Sequence, residues 1–132
     1  MKQETPKVYY YEKAIKIPLY YGSFLIIFSN DGERVKRTTN IRGELNDFAF
    51  TFYNFIHKGK ETFCVCFNFW TLEPVTMGTI THEVNHAANR VLYSRGVVAD
   101  YENDEADSYL KGWMVEQVQR FMQDCNIEIS SL

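Results

Sequence analysis

Two histidines and a glutamate lie close together in the segment THEVNH, residues 81–86. His82 and His86 are four positions apart, and Glu83 directly follows the first histidine. On an α-helix, side chains four positions apart are neighbours, with about 5–6 Å between their Cβ atoms. Two imidazoles in this arrangement can bind one metal ion, and HExxH on a helix is typical of zinc sites. The spacing therefore predicts one Zn²⁺ ion bound by His82 and His86.

Glu83 is expected to act as a general base and not as a ligand. Its position next to His82 directs the carboxylate to one side of the histidine pair, over the open position of the metal. Zinc lowers the pKa of a bound water to about 7, and a neighbouring carboxylate can take the proton. The chemistry predicted is hydrolysis. The simpler alternative is that all three side chains are solvated residues of an amphipathic helix.

A third zinc ligand must come from outside the HExxH motif. The segment YENDEAD, residues 101–107, supplies four acidic residues a short loop after Gly96. A second helix that returns antiparallel can bring its first turn near the histidines. We select Glu105 as the third ligand, with Glu102 as the alternative. Tyr109, one turn further along, can donate to a developing oxyanion or hold Glu105, and packing between the helices is the alternative for its ring.

Hydrophobic spacing predicts the elements that carry these residues. Apolar residues recur at helical intervals over about 76–95 and again over about 104–124. Thr76 or Thr79 is expected to cap the first helix, and Gly96 to end it. Gly112, opposite Ala87 or Ala88 in an antiparallel pair, is expected to let the two helices approach closely.

The first half of the chain has the pattern of a β-sheet. Residues 19–29 are rich in aromatic and β-branched side chains, and a turn signal follows at 30–33. The segment RVKRTT, residues 34–39, can pair back as a polar edge strand. Residues 48–56 and 62–70 predict an antiparallel hairpin.

The predicted fold is α+β, in one domain over residues 1–132. It is a small antiparallel β-sheet over about 8–72, followed by two packed α-helices that carry a zincin-like HExxH site. The chain has 132 residues and 45% hydrophobic residues, enough for one hydrophobic core.

The net charge and the cysteine content indicate which classes of partner and which cellular compartment to expect. The formal net charge is −3, which disfavours nucleic acid as a partner. No apolar run is long enough to span a bilayer, and the N-terminus lacks the apolar region of a signal peptide. Cys64 and Cys66 share one face of a predicted strand and are expected to be reduced, buried thiols. These features predict a cytoplasmic protein without a membrane partner. A peptide or protein substrate is expected instead from the hydrolysis that the HExxH motif predicts.

The segments TITHEVNHAANRVLYSRGV and NDEADSYLKGWMVEQV resemble the small HExxH proteins encoded by bacteriophages and prophages. Those proteins are described as metallopeptidases and look like minimal gluzincins. The residues that fall on their pattern are His82, Glu83, His86, Ala87, Gly96, Glu105, Tyr109, Leu110, Gly112 and Trp113. Ser108 stands where the pattern has alanine. The resemblance covers about residues 76–118, and it implies zinc bound by His82, His86 and Glu105 with Glu83 as general base.

Three functions remain open on the sequence alone. The first is a zinc-dependent hydrolase, a metallopeptidase, which in a phage or prophage setting would act in the bacterial host cytosol. The second is a non-catalytic zinc-binding interaction protein of the phage type. The third is a metal-free α+β binding module. A catalytic zinc site keeps an open coordination position, whereas a structural site is closed by a fourth ligand.

Overall fold

The computed structural model describes residues 7–41, 49–68, 75–98, 100 and 104–128, without the side chains of residues 50, 52, 53 and 68. The elements within these ranges are β1 Tyr10–Lys16, β2 Ser23–Ser29, α1 Gly32–Thr39, β3 Ala49–His57, β4 Lys60–Asn68, α2 Met77–Ser94 and α3 Glu105–Asp124. None of the described helices has the length and apolar character to cross a bilayer. The predicted α+β class is confirmed.

The four strands form one mixed sheet in the order β1-β2-β4-β3. The outer pairs, β1 with β2 and β3 with β4, are antiparallel, as the predicted hairpin requires. The central pair, β2 with β4, is parallel, so the prediction of a wholly antiparallel sheet is wrong. Parallel neighbours need a crossover connection. Here the chain passes through α1 and β3 before β4 returns beside β2, and β3 becomes the outer strand on the side of α2.

The segment predicted as a polar edge strand at 34–39 is helical and belongs to α1. Asp31 caps this helix, because its carboxylate accepts a hydrogen bond from the backbone N–H of Arg34 at 3.2 Å. Glu33 lies in the first turn and two basic residues lie in the last, which suits the helix dipole. Val35 is buried and anchors α1 on the sheet. The Asp31 cap and the placement of acidic and basic residues along the helix therefore outweigh the weak strand pattern.

The strand predicted at 19–29 begins later, at Ser23, and is preceded by a turn and the separate strand β1. Leu19, Tyr21 and Gly22 have positive φ angles of 68°, 61° and 87°, which a strand cannot contain. The aromatic composition of this segment conceals the turn, because tyrosine and leucine are not turn signals.

The sheet has a separate apolar cluster on each face. Alternate residues of β2 and β4 pack against α2 and α3, and the remaining ones face α1. Cys64 and Cys66 are fully buried on the α1 face, so the predicted position of these thiols is confirmed. Each large apolar side chain buried in this way contributes about 1.5–3 kcal/mol.

Helices α2 and α3 agree with the predicted ranges to within one residue at each end. Thr76 caps α2 through the backbone N–H of Thr79, at 3.1 Å. Gly96 ends α2 with a φ of +74°, and the next N–H, that of Val97, donates to the carbonyl of Leu92 at 2.9 Å.

The expected close approach of α2 and α3 at Gly112 is wrong. A Cβ added at Gly112 would have no atom within 4 Å, and the residue is exposed. The contact between the helices is formed instead by the buried side of α3, where Leu110, Met114 and Val118 lie in the main core.

Candidate metal centre

The amphipathic character of α2 determines which motif residues face solvent. Ile80, Val84 and Ala87 point into the core, and this rotation leaves His82 and His86 exposed. The motif is therefore carried by a helix that is fixed on its opposite side. A ligand set on a packed helix is held more rigidly than one on a loop.

The two histidines converge on one point. Their Nε2 atoms lie 3.2 Å apart, and the two rings are nearly perpendicular at 85° with centroids 4.7 Å apart. Two nitrogens bound to one zinc ion at 2.0–2.1 Å in tetrahedral geometry are separated by about 3.3 Å. The pair therefore fits two positions of a zinc site without a rotamer change.

Glu83 lies beside this pair but is buried, with 8% of its surface exposed. Its Oε2 stands 3.8 Å from Nε2 of His82. Its Oε1 accepts a hydrogen bond from the hydroxyl of Thr51 at 2.8 Å, and the same hydroxyl lies 2.9 Å from the carbonyl oxygen of Glu83. One carboxylate oxygen is thus held by β3, and the other is directed towards the histidines.

Thr51 is a site residue that the sequence reasoning missed. It is a hydroxyl residue within the apolar segment FAFTFYNFI, a pattern that is also common in half-buried strands. Its role depends on β3 lying next to α2, and that neighbourhood follows from the strand order, which the sequence did not indicate.

The predicted third ligand is not brought into the cluster. Glu105 is the first residue of α3 and is exposed. Within the described ranges no three His, Cys, Asp or Glu side chains form a group that could hold a metal ion. Glu102, the alternative, lies outside the described residues. The structure therefore joins His82, Glu83 and His86, and the third ligand stays a prediction.

Other residues at the start of α3 differ in their surroundings. Tyr109 is 77% exposed, so the alternative that its ring packs between the helices is wrong. Asp107 is the inward-facing acid of this segment, with 18% of its side chain exposed and Oδ2 bound to Nζ of Lys111 at 2.7 Å. Its Oδ1 is buried without a hydrogen-bond partner in the described part of the chain.

A cavity of about 580 Å³ opens directly beside His86. Its walls include Leu92, Tyr93 and Val97, from the last turns of α2 and the segment after it. The apolar lining next to His86 suits an apolar group of a bound molecule.

No protein-family model, curated protein or solved structure matches this chain. The geometry of α2 and β3 is therefore the feature of this chain that bears on function. In that geometry a converging histidine pair, a buried glutamate and an apolar cavity lie along about three turns of one helix.

Proposed function

We propose that the protein is a zinc-dependent hydrolase of the metallopeptidase type. The observation that carries the proposal is the 3.2 Å separation of the histidine Nε2 atoms, with Oε2 of Glu83 3.8 Å from one of them. His82 and His86 would hold the ion. A zinc ion bound there would polarise a substrate carbonyl and lower the pKa of water to about 7.

Glu83 is the proton carrier in this proposal. Its Oε2 takes a proton from the attacking water and later gives it to the nitrogen of the leaving amine. The hydrogen bond from Thr51 to Oε1 restricts the carboxylate to one orientation, so that Oε2 keeps facing the histidine pair. Because Glu83 is buried where α2 meets β3, its carboxylate stays beside the histidines and is shielded from bulk water.

Glu105 remains our proposed third ligand, with Glu102 as the alternative. Glu105 begins α3, and Glu102 comes three positions earlier in the sequence. Helix α3 packs against the HExxH helix. A carboxylate from either position would complete the three protein ligands of a catalytic zinc site and would leave the fourth position for chemistry.

An extended peptide is the substrate class that suits the surroundings of the histidines. Among the described strands β3 is the outermost on the side of α2, and a peptide can add to such an edge through backbone hydrogen bonds. The apolar cavity beside His86 would take a hydrophobic side chain of that peptide. The same proposal includes a bacterial cytoplasmic setting and a phage or prophage origin.

A non-catalytic zinc-binding interaction protein is the second candidate. It is favoured by the exposure of His82, whose side chain is 68% accessible, and by the lack of a three-ligand group among the described residues. In that case a ligand from a partner protein would complete the zinc site.

The variant Glu83→Gln separates the two candidates. We expect it to bind one zinc ion as tightly as the wild type, because Glu83 is not a ligand. Hydrolysis of a fluorogenic peptide library by the zinc-loaded protein should fall by about 10²–10⁴-fold, the usual contribution of a general base. Glu116→Gln, at an exposed position of α3, is the matched control and should change neither quantity.

Two outcomes would count against a peptidase. A Glu83→Gln protein that hydrolyses peptides at the wild-type rate removes the proposed base. A wild-type protein that binds zinc at His82 and His86 but cleaves no member of the library favours the interaction protein.

A further inference from the structure

A second cavity lies at the other end of the sheet, away from the histidine pair. It has a volume of about 640 Å³. Its walls come from the end of β1, the start of β2, the β3–β4 hairpin and Arg95, which follows α2. Arg95 is nine residues beyond His86, about 14 Å along the helix axis. The cavity is therefore separate from the candidate metal centre.

Three lysines give this cavity a positive charge. Lys16, Lys58 and Lys60 line it, and all three are exposed. None of them forms an ion pair within the described ranges. Glu61, the acidic residue among the lining residues described, is engaged by Arg95 at 3.2 Å. These lysines line one cavity although the chain as a whole has a net charge of −3.

The walls of the cavity are held in place. The Arg95 guanidinium donates to the carbonyl oxygens of Tyr20 and Tyr21, the latter at 3.2 Å, and so fixes the turn before β2. Lys58 and Gly59 have positive φ angles of 51° and 77°, as in the two-residue turn of a tight hairpin. These turns set the backbone positions of the lysines before any ligand arrives.

Small, uncharged residues also line the cavity. They are Ala14, Gly22 and Ser23. Helix α1 has eight residues, about 12 Å, whereas the strands of the sheet are up to nine residues, about 30 Å. The helix is thus too short to cover the whole of its face of the sheet, and the cavity opens where α1 does not reach.

We propose that this cavity binds a small ligand that carries phosphate groups, of the size of a nucleoside polyphosphate. Its volume lies within the roughly 300–1,000 Å³ of small-molecule sites. Three lysines in a lining that also contains small neutral residues suit several phosphate charges, because lysine binds phosphate as a point charge. An extended nucleic acid does not suit it, since the cations line a concave site in an otherwise acidic protein.

Titration of the isotope-labelled full chain, followed by amide NMR shifts, tests this site. The probes are sodium pyrophosphate, ATP without divalent metal, and adenosine. We expect pyrophosphate and ATP to cause saturable shifts confined to residues 14–16, 22–23 and 57–61, and adenosine to cause none. Affinity for pyrophosphate should fall as the salt concentration rises, because exposed charges are screened.

Variants identify the groups that bind. Lys16→Ala combined with Lys60→Ala should weaken pyrophosphate binding by at least about tenfold, the equivalent of 1.4 kcal/mol. Lys13→Ala is the matched control, because Lys13 lies on the same strand, faces Asp124 of α3 at 3.9 Å and does not line the cavity. It should bind pyrophosphate like the wild type.

The proposal is overturned if pyrophosphate and ATP give no saturable shifts, if adenosine binds as tightly as ATP, or if the double lysine variant keeps the wild-type affinity. His82→Ala should bind pyrophosphate unchanged. The outcome is therefore independent of whether the protein binds zinc.

Discussion

The hydroxyl of Thr51 lies 2.8 Å from Oε1 of Glu83 and joins the outer strand β3 to the HExxH helix. The same hydroxyl is 2.9 Å from the carbonyl oxygen of Glu83, so strand and helix are connected at the motif itself. This contact gives a buried carboxylate one fixed oxygen and leaves Oε2 directed at His82. The orientation of the proposed base therefore depends on a residue that is 32 positions earlier in the chain.

Thr51→Val should affect stability and catalysis but not zinc binding. Valine has a similar shape and cannot donate, so Oε1 of Glu83 loses its hydrogen bond. We expect the free energy of unfolding to fall by about 1–3 kcal/mol, as measured by urea denaturation. Peptidase kcat should fall by about tenfold, because a misoriented base transfers the proton less efficiently. The Kd for zinc should stay within a factor of about two, because Thr51 is not a proposed ligand.

Thr81→Val is the matched control. Its hydroxyl donates only to carbonyls of its own helix, at 3.0 Å, and the residue is exposed. It should change stability by less than about 0.5 kcal/mol. Equal losses in the two variants would contradict a specific role for Thr51.

Local sequence signals were sufficient for both long helices and for the β3–β4 hairpin. The threonine cap and the Gly96 stop of α2 are local devices, and the structure contains both. The parallel pairing of β2 with β4 was not predictable in this way, because it depends on where a crossover returns the chain. Helix α1 was missed because eight residues give too little periodicity to outweigh a strand-like pattern.

The same distinction applies to the candidate site. His82, Glu83 and His86 could be identified from spacing within one helix turn, and their convergence follows from helix geometry. Thr51 and the third ligand depend on contacts between elements that are distant in sequence. Gly112 was expected to contact α2 because it is small. The rotation of α3 about its own axis turns Gly112 towards solvent instead.

Substitution by alanine should change the stability of the protein in opposite directions at two glycines. Gly112→Ala should stabilise the protein by about 0.5–1 kcal/mol, because alanine favours the helix interior and the added methyl meets no atom. Gly96→Ala should destabilise it by about 1 kcal/mol, because Gly96 has a φ of +74°. Thermal unfolding monitored by circular dichroism measures both changes. A stabilising Gly96→Ala would contradict the described end of α2.

The three thiols should differ in reactivity. Cys64 and Cys66 are fully buried, and burial raises the pKa of both, whereas Cys125 is partly exposed. One thiol per folded chain should react with Ellman's reagent, and three should react after denaturation in guanidinium chloride. Cys125→Ala should remove the reaction of the folded chain. Rapid reaction of two or more thiols without denaturant would contradict the described packing of β4.

Stability should decrease at alkaline pH. Burial raises the pKa of the Cys64 and Cys66 thiols above their ordinary value of 9.0, so the folded state keeps protons that the unfolded state releases. The stabilisation is therefore complete below pH 9 and is lost as the pH rises above it. The free energy of unfolding should fall by about 1.4 kcal/mol per pH unit for each buried thiol. Burial also raises the pKa of Tyr10 to about 12, which adds to the loss above pH 10.

Cys66→Ala tests this origin of the pH dependence. The variant should be less stable at pH 7, because it loses buried volume, but its stability should fall less steeply between pH 9 and pH 10.5. An unchanged slope in urea denaturation across that range would show that the buried thiols are not the cause.

Zinc binding by the full chain shows whether His82 and His86 form a metal site. Titration of the metal-free protein in competition with a chromophoric chelator should give one zinc ion per chain, and His82→Ala should weaken its binding by at least about 100-fold, or 2.7 kcal/mol. His57→Ala is the matched control, because His57 faces Glu12 and lines the other cavity, and it should bind zinc like the wild type. A wild-type protein that binds no zinc at stoichiometric supply, or a His82→Ala variant that binds it as tightly as the wild type, would rule out a zinc site at this histidine pair.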